Sequence, residues 1–283
     1  MKSILRPAET VDNILDVFIS DNVKESTRDQ IDTNRLALTL LENEYITKVQ
    51  DNSLFEVRRG IPASLTVTKE SLVSYYEYRM LNRPNARIFY DWLILSAPFN
   101  ICPYCNVKTV KTIDHFLPKS EYPYLSVTPV NLVPSCRDCN TEKMISYPIN
   151  KETQTFHPYF DIVDTEPWIV AELIIGEPLS FSYKVSRLTH WDDNKFNRSV
   201  NHFNAYNIDE LFANEANREL RTRQLNLKNL LQRSRDELRH HLEETYLGCL
   251  NSVGMLDWQT IMYKNLKDND QFLDGCVGNS YFN

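Results

Sequence analysis

Two cysteine pairs, Cys102/Cys105 and Cys136/Cys139, frame the chemistry that this chain could carry. Each CxxC turn can offer two thiolates to one ion, and two turns together complete the tetrahedral set that structural zinc prefers. A redox dithiol would need one pair only and would leave the other without a role. The spacing therefore predicts a structural Zn²⁺ held by Cys102, Cys105, Cys136 and Cys139. Four thiolates leave no coordination position open, so this ion should hold the fold and not catalyse. A second group of chemically capable residues lies within the same frame: the adjacent Asp114 and His115, Lys119, Asn131 in "NLVPSC", and Asn140 and Lys143 in "CNTEK". Taken singly each is ordinary, since an Asp-His pair is common and an Asn after a Pro-rich loop is most often a turn or cap residue. Their concentration within about 45 residues of one predicted metal cage is not ordinary.

The elements that must position these residues can be read locally. Val107 to His115 alternates as a strand does, Pro118, Pro123 and Pro129 break the following stretch into a loop, and "VNLVPS" reads as a short returning strand. "CRDCNTEKMIS" then starts a helix at the second cysteine pair. Strand, loop, strand and helix clamped by one zinc make a small ββα unit.

This unit resembles the HNH nuclease motif, the ββα-metal finger, in its four-cysteine form. The resemblance rests on "DH", "NLVPSC" and "CNxxK" in that order, with Asn140 where a third histidine often stands, which makes it an HNN variant. It implies that His115 is the general base, a role suited to neutral imidazole. It also implies that Asp114 and Asn140 hold one catalytic Mg²⁺ or Mn²⁺ through hard oxygen atoms, and that Asn131 fixes the loop and orients His115. Lys119 and Lys143 are expected to bind substrate phosphate. The implied activity is metal-dependent hydrolysis of phosphodiester bonds, with DNA the favoured substrate and RNA such as tRNA the alternative. A rival of another class is a non-catalytic zinc-stabilised module that binds nucleic acid or protein; such a module needs the cysteines but has no use for Asp114 and His115. The chain's size, its flanking helices and "FHPYFD" are also similar to HNH proteins of bacterial anti-phage defence, of the Septu and retron-associated types. That similarity implies a partner protein, an ATPase or a sensor.

Around the finger, helical periodicity dominates. Val11 to Gln50 recurs at mainly helical spacing, Thr68 is placed to cap "KESLVSYYEYRML", and "ARIFYDWLILSA" delivers the chain to the first cysteine pair. After the finger, "WIVAELIIG" and "LSFSYKVSRL" read as a hairpin, followed by "DDNKFNRSVNHFNAY", a long helical stretch from about residue 208 to 250, and a short helix at "DWQTIMYKNLKDNDQF". The expected fold is mainly α with a small α+β insertion: a helical region at 1–98, the zinc-stapled ββα-metal finger at 99–150, and a hairpin followed by helices at 151–283. The long stretch carries Arg218, Arg221, Arg223, Lys228, Arg233, Arg235 and Arg239, either a solvated face or a phosphate-contacting one.

Bulk composition sets limits. A chain of 283 residues with 42% hydrophobic and 24% charged residues has ample material for a globular core. The net charge of −7 excludes a protein that coats nucleic acid by bulk attraction, so any such contact must be local or assisted by a partner. No run of about 18 apolar residues is present and the N-terminus lacks a signal-peptide pattern, so no membrane contact is expected and the location is expected to be cytoplasmic. Cys249 and Cys276 stand alone and read as buried free thiols. His157, His190, His202, His240 and His241 lack a comparable context, and His157 is expected to pack or cap structure.

Overall fold

A computed structural model describes residues 1–21, 23–176 and 178–274. They form two compact units, Met1–Ile162 and the part from Val163 onward. Cys276 lies outside the described residues.

The first unit begins with α1 (Val11–Ser20) and α2 (Glu25–Gln50). Thr10 and Asn13 form a reciprocal capping box at the start of α1. The first amide of α1, Val11 N–H, donates to both carboxylate oxygens of Glu42 at 3.1 and 3.0 Å. That satisfies an otherwise orphaned buried donor and ties α1 to α2. Ile14, Leu15 and Phe18 of α1 and Ile31, Leu38 and Tyr45 of α2 are all buried where the two helices pack.

Thr68 caps α3 (Lys69–Ser74) as its sequence position suggests, its side chain accepting from Ser71 N–H. The helix then passes directly into a π-helical turn, Tyr75–Met80. Such turns are rare and are frequently found at functional sites. Helix α4 (Pro84–Leu95) follows, with proline in its first turn where no backbone donor is needed.

In the finger, β1 (Thr112–His115) pairs antiparallel with β2 (Leu132–Ser135), placing Asp114 opposite Val133 and His115 opposite Leu132. Helix α5 (Arg137–Lys143) completes the unit, its N-terminus capped by the Cys136 sulfur. Strand β1 is shorter than the alternation from Val107 predicts. Residues 106–108 are spent instead on closing the first cysteine turn: Asn106 takes a left-handed conformation at φ 57°, and Cys102 N–H donates to the Lys108 carbonyl at 2.8 Å.

The second unit starts with the expected hairpin, β3 (Ile169–Ile174) and β4 (Ser180–Val185). Helices α6 (Asp193–Ala205), α7 (Ile208–Arg233), α8 (Arg235–Val253), α9 (Trp258–Asp268) and α10 (Asp270–Leu273) follow. Trp168, Phe181, Tyr183, Phe212 and Met262 are among its buried side chains. The long helical stretch is two helices and not one. Ser234 adopts an extended conformation, and its side chain caps α8 by accepting from Glu237 N–H. Five of the seven cations along it are held in ion pairs: Arg218 with Glu215, Arg223 with Glu219, Arg233 with Glu237, and Arg235 and Arg239 with Asp270. Most of this apparent basic face is therefore internally neutralised. Cys249 is a half-buried free thiol, less enclosed than expected. Among the described residues, no helix is long and apolar enough to cross a membrane.

Candidate active site and metal centre

The four predicted zinc ligands come together. The sulfurs of Cys102, Cys105, Cys136 and Cys139 lie within 4.8 Å of one another, all four residues are buried, and none is in a disulfide. A tetrahedron of Zn–S bonds of about 2.3 Å separates its sulfurs by about 3.8 Å, so the cluster has the dimensions of a zinc cage. Backbone amides support it: Lys108 N–H points at the Cys105 sulfur at 3.5 Å and Cys139 N–H at the Cys136 sulfur at 3.4 Å. Hydrogen bonds from the neighbouring thiols hold Cys105 well below the ordinary thiol range, outweighing its burial. A closed, buried, four-sulfur set is what structural zinc requires, and these residues fit that ion.

Tyr104, inside the first cysteine turn, links this cage to the second group of residues. Its hydroxyl donates to Asp114 Oδ2 at 2.8 Å. Lys143 Nζ lies 3.2 Å from Asp114 Oδ1 and donates to the His115 carbonyl at 2.6 Å. Asp114 is only 2% exposed. Burial pushes its carboxyl up from the ordinary range, opposed by Lys143 and by the Tyr104 bond. Lys143, 6% exposed, is thus turned inward onto Asp114 and the His115 backbone, not outward to solvent. Its helix explains this: Lys143 is the last residue of α5, and α5 packs on β1.

His115 Nε2 lies 2.9 Å from the Ser126 carbonyl. A carbonyl oxygen only accepts, so Nε2 carries the proton and Nδ1 is left as the acceptor. Ser126 is held in turn by its hydroxyl, which donates to the Leu72 carbonyl of α3 at 2.6 Å. The Tyr76 ring of the π-helical turn meets the imidazole edge-on, 4.4 Å between centroids. Burial, with Lys119 adding to it, pushes the imidazole down to about 3, so the ring is neutral throughout the physiological range.

Asn131 is fully buried and clamps the loop between the strands. Its carboxamide accepts from Leu117 N–H at 2.8 Å and donates to the carbonyls of Leu117 at 3.0 Å and Leu125 at 3.2 Å. Asn131→Ala should strand these three backbone groups and cost about 3 kcal/mol. Urea denaturation followed by tryptophan fluorescence measures this; a loss under 1 kcal/mol would mean that the loop holds itself.

Asp114, His115, Lys119 and Asn140 line one cleft of about 630 Å³, which α3, the π-helical turn and Tyr90 of α4 also line. Asp114 and Asn140 offer a carboxylate and an amide oxygen, a donor pair suited to a hard divalent cation whose other ligands are water and phosphate. Lys119 is part-exposed there, 3.5 Å from Glu77, with its ammonium 5.4 Å from the centre of the Tyr76 ring. Lys143 is not among the residues lining the cleft. Tyr104, Ser126 and Tyr76 went unread in the sequence. Tyr104 had one signal, its place inside a metal-binding turn; the other two act through contacts that no local pattern carries. His157, as expected, is a packing residue: fully buried, 3.0 Å from the Tyr45 hydroxyl and packed against Phe116.

A mainly helical chain with a zinc-stapled ββα finger carrying Asp-His, Asn and Asn in this order defines an HNH endonuclease domain, and residues 101–144 match the HNH endonuclease family. Over nearly its whole length the chain is 30% identical to protein ea31 of Escherichia phage lambda, across 298 aligned positions covering 97% of this chain and 100% of that protein. The chain belongs to the family of that phage protein. A second relative, the Septu protein PtuB of Bacillus thuringiensis, is 40% identical over 55 residues, or 18% of this chain and 21% of PtuB. No solved structure matches.

Proposed function

We propose that this chain is a divalent-metal-dependent endonuclease that hydrolyses phosphodiester bonds of nucleic acid, DNA in the first instance. The observation that carries the proposal is geometric: His115, its Nε2 bonded to the Ser126 carbonyl so that Nδ1 is left as the acceptor, lies beside Asp114 and Asn140 in one cleft. A binding module has no need of such an arrangement. In this reading His115 takes the proton of the attacking water. Asp114 and Asn140 hold the catalytic Mg²⁺ or Mn²⁺, which when bound stabilises charge on the leaving 3′ oxygen. Lys119 meets the substrate phosphate, while Lys143 fixes Asp114 and the His115 backbone. The zinc holds the finger.

The HNH domain and the similarity to PtuB support a place in anti-phage defence, with an ATPase or sensor as partner. The acidic balance of the chain agrees with affinity borrowed from a partner. The full-length relative is a phage protein, and this favours a second reading, a nuclease that serves a phage and not its host.

Purified protein incubated with plasmid, single-stranded DNA and total RNA, with Mg²⁺, Mn²⁺ or EDTA, tests the activity. Cleavage that EDTA abolishes while zinc stays bound is expected; fragments formed equally in EDTA, or none with any substrate, would contradict the reading. Phage challenge of cells expressing the chain with its neighbouring genes separates defence, which lowers plating, from the second reading, which leaves it unchanged.

A further inference from the structure

The wall of the cleft facing the catalytic residues carries apolar side chains among its charged ones. Leu81 and Tyr90 line it, both half-buried, and the rim carries Met144 and Ile145, 70% and 62% exposed. Met144 sits at φ 47°, ψ −122°, a conformation that bulky residues rarely adopt. Such outliers concentrate at ligand clamps and active sites. Two large apolar side chains thus stand in solvent at the mouth of the recess holding His115, on the turn that ends α5. On the same walls lie the cations Lys69 and Lys119, the latter 3.5 Å from Glu77.

We infer that the cleft is built for an unpaired strand, whose bases lie against Leu81, Tyr90, Met144 and Ile145 while its phosphates meet Lys69, Lys119 and the catalytic pair. This rests on the nuclease reading and narrows it. In a perfect duplex the bases are stacked inside, and the finger would meet only sugar and phosphate. Apolar side chains at the rim would then face charge and water and gain nothing. An unpaired strand offers a π-face at every base, which aromatic and apolar platforms take up with little regard to sequence. His115 and Asp114 are 7% and 2% exposed, so the phosphate must descend into the recess, as a flexible backbone can. A volume of 630 Å³ has the size of a small-ligand pocket, enough for a nucleotide or two but not for the flank of a duplex.

The test uses one sequence in three forms, single-stranded DNA, single-stranded RNA and perfect DNA duplex, each with one 2-aminopurine, and compares the full chain with Met144→Ser/Ile145→Ser. Single strands should be cut about ten-fold faster than the duplex, and the double variant should bring that ratio close to one by slowing single strands alone. The deoxy and ribo arms show which backbone is taken. 2-Aminopurine fluorescence, read in EDTA, reports stacking without cleavage: quenching by the parent chain and its loss in the variant are expected. A duplex cut as fast as the single strand, or a ratio or quenching unchanged in the variant, overturns the inference. Absence of all cutting counts against the nuclease reading, and the fluorescence still decides whether bases are held.

Discussion

Serine at Cys102 or Cys136 is expected to give a chain whose first unit does not fold, recovered as aggregate or without zinc. The finger has two four-residue strands and a seven-residue helix, far too little to hold itself together. The zinc cage is what joins its two halves, because Cys102 and Cys105 precede β1 while Cys136 and Cys139 sit at the start of α5. Structural zinc contributes about 10 kcal/mol or more to units of this kind, comparable to the whole stability of a domain. The loss should spread beyond the finger. Tyr104 in the first cysteine turn holds Asp114, Lys2 N–H donates to the Pro103 carbonyl at 2.8 Å, and the Tyr159 hydroxyl donates to the Leu132 carbonyl at 2.8 Å. Metal analysis of the parent chain should find about one zinc per molecule. Well-folded parent protein without zinc, or a Cys136→Ser chain melting like the parent, would refute the structural role.

Replacing His115 has the opposite signature, activity lost with zinc and fold retained. His115→Gln is the more informative change. Its amide can still donate toward the Ser126 carbonyl and fills similar volume beside Tyr76, yet it cannot accept a proton at neutral pH. General-base catalysis contributes typically 10²–10⁴-fold, so hydrolysis should fall by about that factor with zinc content unchanged. His115→Ala should lose as much activity and some stability besides, because it empties a packed site and leaves the Ser126 carbonyl unpaired. If His115→Gln cuts within a few-fold of the parent chain under every metal tried, the proton goes elsewhere and the assignment of the base fails.

The elements carried by local chemistry were legible in the sequence. Two cysteine pairs announce a four-sulfur cage because thiolate spacing alone nearly determines it, and Thr68 announces a helix start because an N-cap is a local hydrogen bond. The grouping of Asp114, His115 and Asn140 was implied by the resemblance to the HNH motif, and the three line one cleft. Periodicity misled where a turn competed with it. Val107 to Lys111 alternates like a strand, but closing the cysteine turn takes the carbonyl of Lys108; residues 208–250 look like one helix, but Ser234 gains more as a cap than as a helical residue. The basic look of that stretch dissolved for a related reason, because carboxylates on the same helices and at Asp270 could not be matched to its arginines from spacing alone. Lys143 was not legible either. Its motif position suggests a phosphate, and only the packing of α5 turns it onto Asp114. The roof of the cleft, with Tyr76 on a π-helical turn, comes from a segment about 40 residues upstream of His115, a contact that no local pattern encodes.

In the proposed reaction, water deprotonated at His115 attacks phosphorus and expels the 3′ oxygen. Cleaving a DNA strand in H₂¹⁸O under single-turnover conditions with Mg²⁺, then weighing the fragment ends by mass spectrometry, tests it most directly. The account requires 5′-phosphate ends carrying one ¹⁸O and 3′-hydroxyl ends carrying none, and no such fragments from His115→Gln on the same timescale. Ends bearing a 3′-phosphate or a cyclic phosphate, or 5′-phosphates free of ¹⁸O, would contradict it.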